Sequence, residues 1–555
     1  MLTRLLIAGA TLHADAQRRR FLREVQHAAD VQDRLLRDIV KRHAESVFGV
    51  EHGFGQLRNA REYAVRVPVR DHEQYRPWLE RVYEGEVEAL FDRRQRIHMF
   101  ALSSGSTNQP KRIPVTPEFL NAYRRGWNIF GIQALRDHPD GLGRCLLQVV
   151  SPMEEYRSPT GLPCGAISGL LAAEQKRVVK RFYANPRVTA EITDAQARYY
   201  AIMRLAVPRD VAWIVTPNPA TTLRLVCSAA ENAERLIRDI HDGTLSPPGT
   251  IEPGVHARIM PRLQPNRKLA RKLGADVSRD GKLLPRHYWK LAFLANWMGG
   301  TLRLYLQEFP AWFGDLPVRD IGLLATEGRV SIPLEDGTPV GVLDPRAGYF
   351  EFVPEGADAA VRIHEVEVGG IYRVVMTNSA GLYRYDLGDY VQVREFLGKA
   401  PCVEFLHRGT AVSSFCGEKL TEWQVIAAYE QAAAALGIAP VRFVVAAVWD
   451  DPPRYRLHVE GNGPRGANLA RAYDDALSAL NVEYASKRLS LRLNPVEVNV
   501  VSEGRLMAFD ENRRRVRGKG HEQFKQVYLL TQPGEDAEIC RPPMSDGGET
   551  AAVTR

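Results

Sequence analysis

The sequence predicts an α/β protein: a large N-terminal domain with mostly parallel sheets, a β-barrel-like subdomain within it, and a small, mobile α+β domain at the C-terminal end. Three observations carry this. Helical patterns alternate with short apolar runs through residues 145–326, the rhythm of a largely parallel sheet. Close-spaced strand patterns with Gly and Asp turns then run from about 328 to 415. After Cys416 the order changes to helix, hairpin, helix and strand.

Taken in order, the chain starts helical over about residues 1–60, where Phe21, Val25, Ala28, Leu35 and Ile39 recur at helical spacing. CLLQVV (145–150), VAWIVT (211–216), TLRLYL (301–306) and IGLLAT (321–326) read as strands. VSIPL, GYFEFV, IHEVEVGGIYRVVMT and GLYRYDLGDYVQVREF read as an antiparallel sheet or barrel, with Gly388-Asp389 breaking the last of them. Residues 421–436 form a helix capped by Thr421. RFVVAAVW (442–449) and RYRLHVE (454–460) form a hairpin across DDPP. Tyr473, Leu477, Leu480 and Tyr484 share one helical face, and VEVNVV (496–501) alternates as a strand. The predicted domains are 1–416 and 417–533, followed by a polar, disordered tail from Gly534.

Composition narrows the function classes. The 555 residues carry a formal charge of +8, but the arginines are scattered among Asp and Glu. A nucleic-acid binder concentrates them, so no nucleic-acid partner is expected. No apolar run approaches the roughly eighteen residues of a membrane span, and the N-terminus lacks the pattern of a secretory signal. The six cysteines show no metal-ligand spacing. Together these predict a cytoplasmic protein without a membrane partner.

Five stretches carry candidate chemistry, and each also has a purely structural reading. SSGSTNQPKRIP (103–114) follows an apolar start at Met99–Leu102. Its N–H groups, hydroxyls and Lys111-Arg112 could cradle phosphate, or it is a solvated linker. LLATEG (323–328) sets a hydroxyl and a carboxylate at a strand end, where Glu327 could hold Mg²⁺ or simply cap the strand. In GLYRYDLGDYVQV (381–393), Tyr383, Tyr385 and Leu387 share a face, and Asp389 could accept from two ribose hydroxyls or serve a turn. Arg408 and Gly417-Glu418-Lys419 flank the domain boundary, as a hinge site or a plain linker. Lys525 stands between Phe524 and Val527, as an active or a surface lysine.

The order of these five stretches is that of adenylate-forming enzymes. From about residue 60 to 530 the chain resembles the auxin-responsive-promoter family of acyl acid amido synthetases, a branch of the superfamily of firefly luciferase and the acyl-CoA synthetases. NWMGGTLRLYLQEFPAWFGDLPVRDIGLLATEG (296–328), VEVGGIYRVVMTNSAGLYRYDLGDYVQV (366–393), GEKLTEWQV (417–425), ALSALNVEYASKR (476–488) and GHEQFKQVYL carry the likeness.

The resemblance implies an ATP- and Mg²⁺-dependent ligase that activates a carboxylic acid as its acyl-adenylate and passes the acyl group to an amine, such as an amino acid. Ser103, Ser104, Ser106, Thr107 and Lys111 would hold the phosphates. Thr326 and Glu327 would lie by the α-phosphate and the ion, and Leu323, Tyr383, Asp389, Arg408 and Lys419 by the nucleotide. Lys525 would reach the reacting phosphate from the mobile domain, which is expected to turn about residues 416–420. Asn108 stands where the superfamily usually has glycine, and Leu323-Leu324 where the family often has an aromatic and a glycine. His98, His287, His407 and His521 are candidate bases for the amine by residue type alone. Two alternatives remain: a thiol acceptor, or a decayed scaffold that binds acid or nucleotide without turnover.

Overall fold

The computed structural model describes residues 2–103, 111–175, 177–299, 302–355, 357–408, 412–438, 441–461, 466–517 and 528–541. The chain divides into two compact units, Met1–Gly409 and Thr410–Arg555.

The first unit opens on the helix Leu2–Glu24, continued by Ala28–Arg42. Phe21, Val25, Ala28 and Ile39 are buried, as their spacing predicts. Three sheets of four or more strands follow among the described residues. Met99–Ser103 pairs antiparallel with Lys111–Val115 and parallel with Pro163–Gly165, so this sheet is mixed. A four-stranded sheet of Cys145–Gln148, Val211–Val215, Phe293–Ala295 and Val318–Arg319 is wholly parallel. The third sheet has seven strands, all antiparallel, and includes Tyr349–Pro354, Ile371–Asn378, Leu382–Leu397 and Ala400–Arg408.

Two predicted strands are placed differently. TLRLYL contains the helix Arg303–Leu306, because a short apolar run fits either structure until its partners are known. IGLLAT is not a strand of the parallel sheet; that role falls to Val318–Arg319. Gly322 turns the backbone at a φ of 86°, and its N–H is taken by the Asp320 carboxylate at 2.6 Å. Only Leu324–Ala325 then pairs, in a tight hairpin with Gly328–Arg329. Gly388-Asp389 does not break its strand either. Arg373 pairs with Tyr390 and Val375 with Asp386, so Leu387–Asp389 form a bulge inside one continuous strand.

In the second unit Thr421 caps the helix Glu422–Leu436 in a reciprocal capping box with Gln424. Phe443–Val448 and Arg454–Glu460 form the predicted hairpin, extended by Glu497–Val501 on one side and Leu529–Leu530 on the other. Tyr473, Leu477, Leu480 and Tyr484 are buried, although Asn481 ends one helix and caps the next between them.

Two boundaries move. Residues 413–419, predicted to straddle the domain break, are anchored within the second unit. The buried Glu418 carboxylate accepts from the N–H groups of Phe415 and Cys416, both at 2.7 Å, and from the Tyr455 hydroxyl at 2.6 Å. The predicted tail also starts too early. Ala537–Cys540 is helical, Ile539 joins an apolar cluster with Val444 and Phe509, and Asp536 accepts from Arg456 at 2.9 Å. None of the six cysteines is in a disulfide, and no helix among the described residues is long and apolar enough to cross a membrane.

Candidate active site

The strand Lys111–Val115 returns from the hydroxyl-rich loop, with Lys111 directly opposite Ser103. Alternation sends its two cations to opposite faces. Arg112 leaves the site: it donates to Glu80 at 3.1 Å and lies over the Tyr83 ring at 4.3 Å. Lys111 turns inward. Its ammonium is 3.3 Å from Glu327 Oε1 and 3.2 Å from the Tyr385 hydroxyl, which itself donates to Glu327 at 3.3 Å.

Glu327 is presented by the turn of the Leu324–Arg329 hairpin. Tyr123 fixes that turn by donating to the Ala325 carbonyl at 2.8 Å, and Asn378 by donating to the Glu327 carbonyl at 2.6 Å. Lys111 and Glu327 are both buried, so their charges act on one another with little screening. A buried cation and a phenol on two strands and a carboxylate at a hairpin turn form a polar floor that begins at the first residue after the hydroxyl-rich stretch.

The YRYxxGD strand is gripped by residues 70–75. The Arg384 carbonyl accepts from the Arg70 N–H at 3.1 Å, and Asp386 N–H donates to the Arg70 carbonyl at 2.8 Å. The Tyr75 hydroxyl accepts from Tyr383 N–H at 2.8 Å. Arg384, at a φ of 52°, turns its guanidinium inward onto both Glu351 oxygens at 2.8 and 2.9 Å and onto the carbonyls of Ala64 and Val67.

This framework brings His72 to the site, at the first turn of the helix His72–Tyr83. Burial, and then the charge of Lys111, pull its imidazole down to about 4 against the opposing pull of Glu327. Its Nδ1 is buried and has no hydrogen-bond partner.

The predicted site residues divide as follows. Lys111 and Glu327 come together, with Thr326 beside Glu327 in the same turn. Asp389 is buried and lies opposite Arg408 in the sheet register. Leu323 is half-buried against the core, its N–H bound to Ser331 Oγ at 3.0 Å. Tyr383 is fully buried, stacked on Phe48 with its hydroxyl on the Leu90 carbonyl at 2.6 Å. It supports the motif from within the core, and Tyr385 is the tyrosine at the Lys111–Glu327 pair. Lys419 belongs to the second unit, at a φ of 49°. Ser104, Ser106, Thr107 and Lys525 lie outside the described residues, as does Asn108. Among the four histidines named by type, His287 is buried and spent on Asp280 at 2.7 Å, and His98 is exposed. His521 lies outside the described residues.

Three family models cover most of the chain: the GH3 family N-terminal domain over residues 17–318, the central domain over 341–408 and the C-terminal domain over 423–533. The chain belongs to the GH3 family. It is 26% identical over 514 residues to the jasmonoyl–L-amino acid synthetase GH3.5 of Oryza sativa subsp. japonica, covering 86% of this chain and 88% of that one. It is 24% identical over 563 residues to the indole-3-acetic acid-amido synthetase GH3.8 of Oryza sativa subsp. indica, covering 95% and 92%. The solved GH3.15 acyl acid amido synthetase superposes with a TM-score of 0.64 at 21% identity, over 93% of this chain and 94% of that one.

The GH3 fold therefore extends through both units. The GH3 central domain coincides with most of the antiparallel sheet that carries Asp389 and Tyr385, and the GH3 N-terminal domain contains Lys111 and His72. Sequence reasoning named Tyr385 only as sharing a face with Tyr383, and it did not name His72. Tyr385 was signalled by its place in YRYxxGD; nothing local to RDHEQ singled out His72.

Proposed function

We propose that this GH3 protein activates a carboxylic acid with ATP and transfers the acyl group to an amine, forming an amide. The observation that carries the reading is the buried Lys111–Glu327–Tyr385 floor that begins where the SSGSTNQP stretch ends, in a chain whose relatives are named as jasmonoyl–L-amino acid and indole-3-acetic acid-amido synthetases.

The chain is an acid–amino acid ligase. An oxygen of the acid attacks the α-phosphorus of ATP, the bond to the bridging oxygen breaks, and pyrophosphate leaves with that electron pair. Charge builds on the phosphoryl oxygens, and fixed cations and N–H dipoles stabilise it. Lys111 supplies one such cation, and Lys525 a second during adenylation. Ser103, Ser104, Ser106 and Thr107 bind the β- and γ-phosphates; Asp389, with Arg408, holds the ribose hydroxyls. The amine then attacks the acyl carbon and AMP departs. Holding amine and adenylate in line removes much of the entropic barrier.

Mg²⁺ fits the donor set. Glu327 is a carboxylate at a hairpin turn, held by Lys111 and Tyr385, and Mg²⁺ favours one or two carboxylates completed by phosphate oxygens. When bound, the ion neutralises charge on the phosphates. The acid is of the size class of jasmonate, indole-3-acetate or 2,4-DB, the acids named for relatives and for a ligand of GH3.15.

The test is acid-dependent ATP–pyrophosphate exchange across aromatic, fatty and polyketide-like acids, followed by product analysis with amino acids and with coenzyme A. Exchange and an amide are expected. A thioester product instead would assign the thiol acceptor. No exchange with any acid at saturation would favour a binding protein on this scaffold.

A further inference from the structure

We propose that His72 is a substrate-contacting residue whose Nδ1 hydrogen-bonds the pyrophosphate end of the nucleoside triphosphate. The proposal rests on the nucleotide-binding reading of the Lys111–Glu327–Tyr385 floor.

Three observations carry it. The first is placement. Backbone hydrogen bonds tie Arg70 to Arg384 and Asp386, and Tyr75 ties its helix to Tyr383. His72 lies between these two clamps in the chain, two residues after Arg70, which bridges to Tyr385, and the Tyr75 and Tyr385 rings are 5.7 Å apart. The charges of both Lys111 and Glu327 reach its ring. A phosphate group drawn to the Lys111 ammonium is brought toward the His72 ring, on which the Lys111 charge already acts.

The second observation is the unmet Nδ1, buried and without a hydrogen-bond partner. Buried polar atoms are nearly always paired, and one left open beside a charged floor calls for a partner brought by the ligand. Lys111 and Tyr385 both already donate to Glu327, and the other charges acting on the ring, Glu73 and Arg76, lie on its own helix.

The third is the chemistry of the ring. Burial and Lys111 keep the imidazole neutral at physiological pH. A neutral imidazole donates one N–H to a phosphate oxygen without adding a cation to a site that Lys111 already charges. It is a poor base for an ammonium group, whose proton binds several pH units more tightly. Contact with phosphate, not deprotonation of the amine, is the role these properties fit.

The test is equilibrium binding of magnesium pyrophosphate, MgATP and AMP to the full chain by calorimetry. His72→Phe removes both ring nitrogens. It should weaken pyrophosphate and ATP about tenfold to a hundredfold, the range for a hydrogen bond to a charged group, and leave AMP unchanged. His72→Asn, which keeps a donor near the Nδ1 position, should stay within about threefold of wild type. His72→Gln should bind pyrophosphate more weakly than the Asn variant. Unchanged pyrophosphate affinity in the Phe variant, or an equal loss for AMP, overturns the proposal. Should the Phe variant not fold, wild-type affinity in both amide variants, or tighter binding by Gln than by Asn, overturns it equally. A wild-type protein that binds ATP yet shows no acid-dependent exchange defeats the ligase reading while these affinities still decide the role of His72. One that binds neither ATP nor pyrophosphate overturns both.

Discussion

Replacing Arg384 with methionine tests whether the arginine of YRYxxGD is structural. The guanidinium is bound to both oxygens of Glu351 and to two backbone carbonyls, and both side chains are buried. Arg384→Met strands the Glu351 carboxylate, and removing one partner of such a pair costs about 3–5 kcal/mol. A unit of 409 residues unfolds with an entropy near 0.9 kcal/mol per degree at about 2.1 cal/mol/K per residue, so the melting temperature should fall by about 3–6 °C.

The loss should depend on pH with a definite sign. Burial already raises the Glu351 carboxyl, and Arg384 is the main opposing influence. Without Arg384 its folded pKa rises further above the unfolded value. For an acid this means stability present at low pH and lost as pH rises through the folded pKa. The deficit of Arg384→Met relative to wild type should therefore be larger at pH 8 than at pH 5. Adding Glu351→Leu removes the stranded charge and should recover part of the loss, leaving the cost of two carbonyls without their donor. Calorimetric melting of the three proteins at both pH values is the assay. A single variant melting within a degree of wild type at pH 8, or a double variant melting below it, would refute the reasoning.

Lys111→Met should weaken MgATP binding about tenfold to a hundredfold by calorimetry, since it removes a charge-assisted contact. Lys525→Ala should slow adenylation by roughly 10²–10³, the typical effect of removing one transition-state stabiliser, and pyrophosphate exchange reads it directly. His43 is buried, and its Nδ1 accepts from Asp92 N–H at 3.1 Å; burial pulls its pKa down to about 4 from an ordinary 6.5. The stability it contributes is complete above about pH 6.5 and falls as pH drops toward about 4, by up to about 3 kcal/mol. His43→Asn should flatten that part of the pH–stability curve, measured by urea titration between pH 4 and 7.

Legibility followed locality. The helix cap at Thr421, the hairpin across 449–453 and the buried face of Tyr473, Leu477 and Leu480 were readable because each depends on residues a few positions apart. IGLLAT misled because its fate depends on Gly322 and on the Asp320 side chain, which cut the strand short. The tail misled because Asp536 looks like solvated polar sequence until Arg456 and His458, far back in the chain, turn it into an anchor. Their pairing outweighs burial and holds its carboxyl at about 2.

The site exposes a stricter limit. Alternation puts Tyr383 and Tyr385 on one face, and no local rule says which tyrosine meets the core and which meets a charge. The Leu90 carbonyl settles the first and the Lys111–Glu327 pair the second, and both partners come from other parts of the fold. The same holds for the two cations after the loop: period two separates Lys111 from Arg112 but does not say which faces the site until Glu80 claims one and Glu327 the other. A polar residue acquires its role from a partner whose distance in sequence is set by the register of elements, and register is a property of the whole fold. Single motifs are therefore weak evidence of chemistry, while several motifs in a fixed order amount to a statement about topology. Topology is what brings Lys111, Glu327 and Tyr385 within hydrogen-bonding distance.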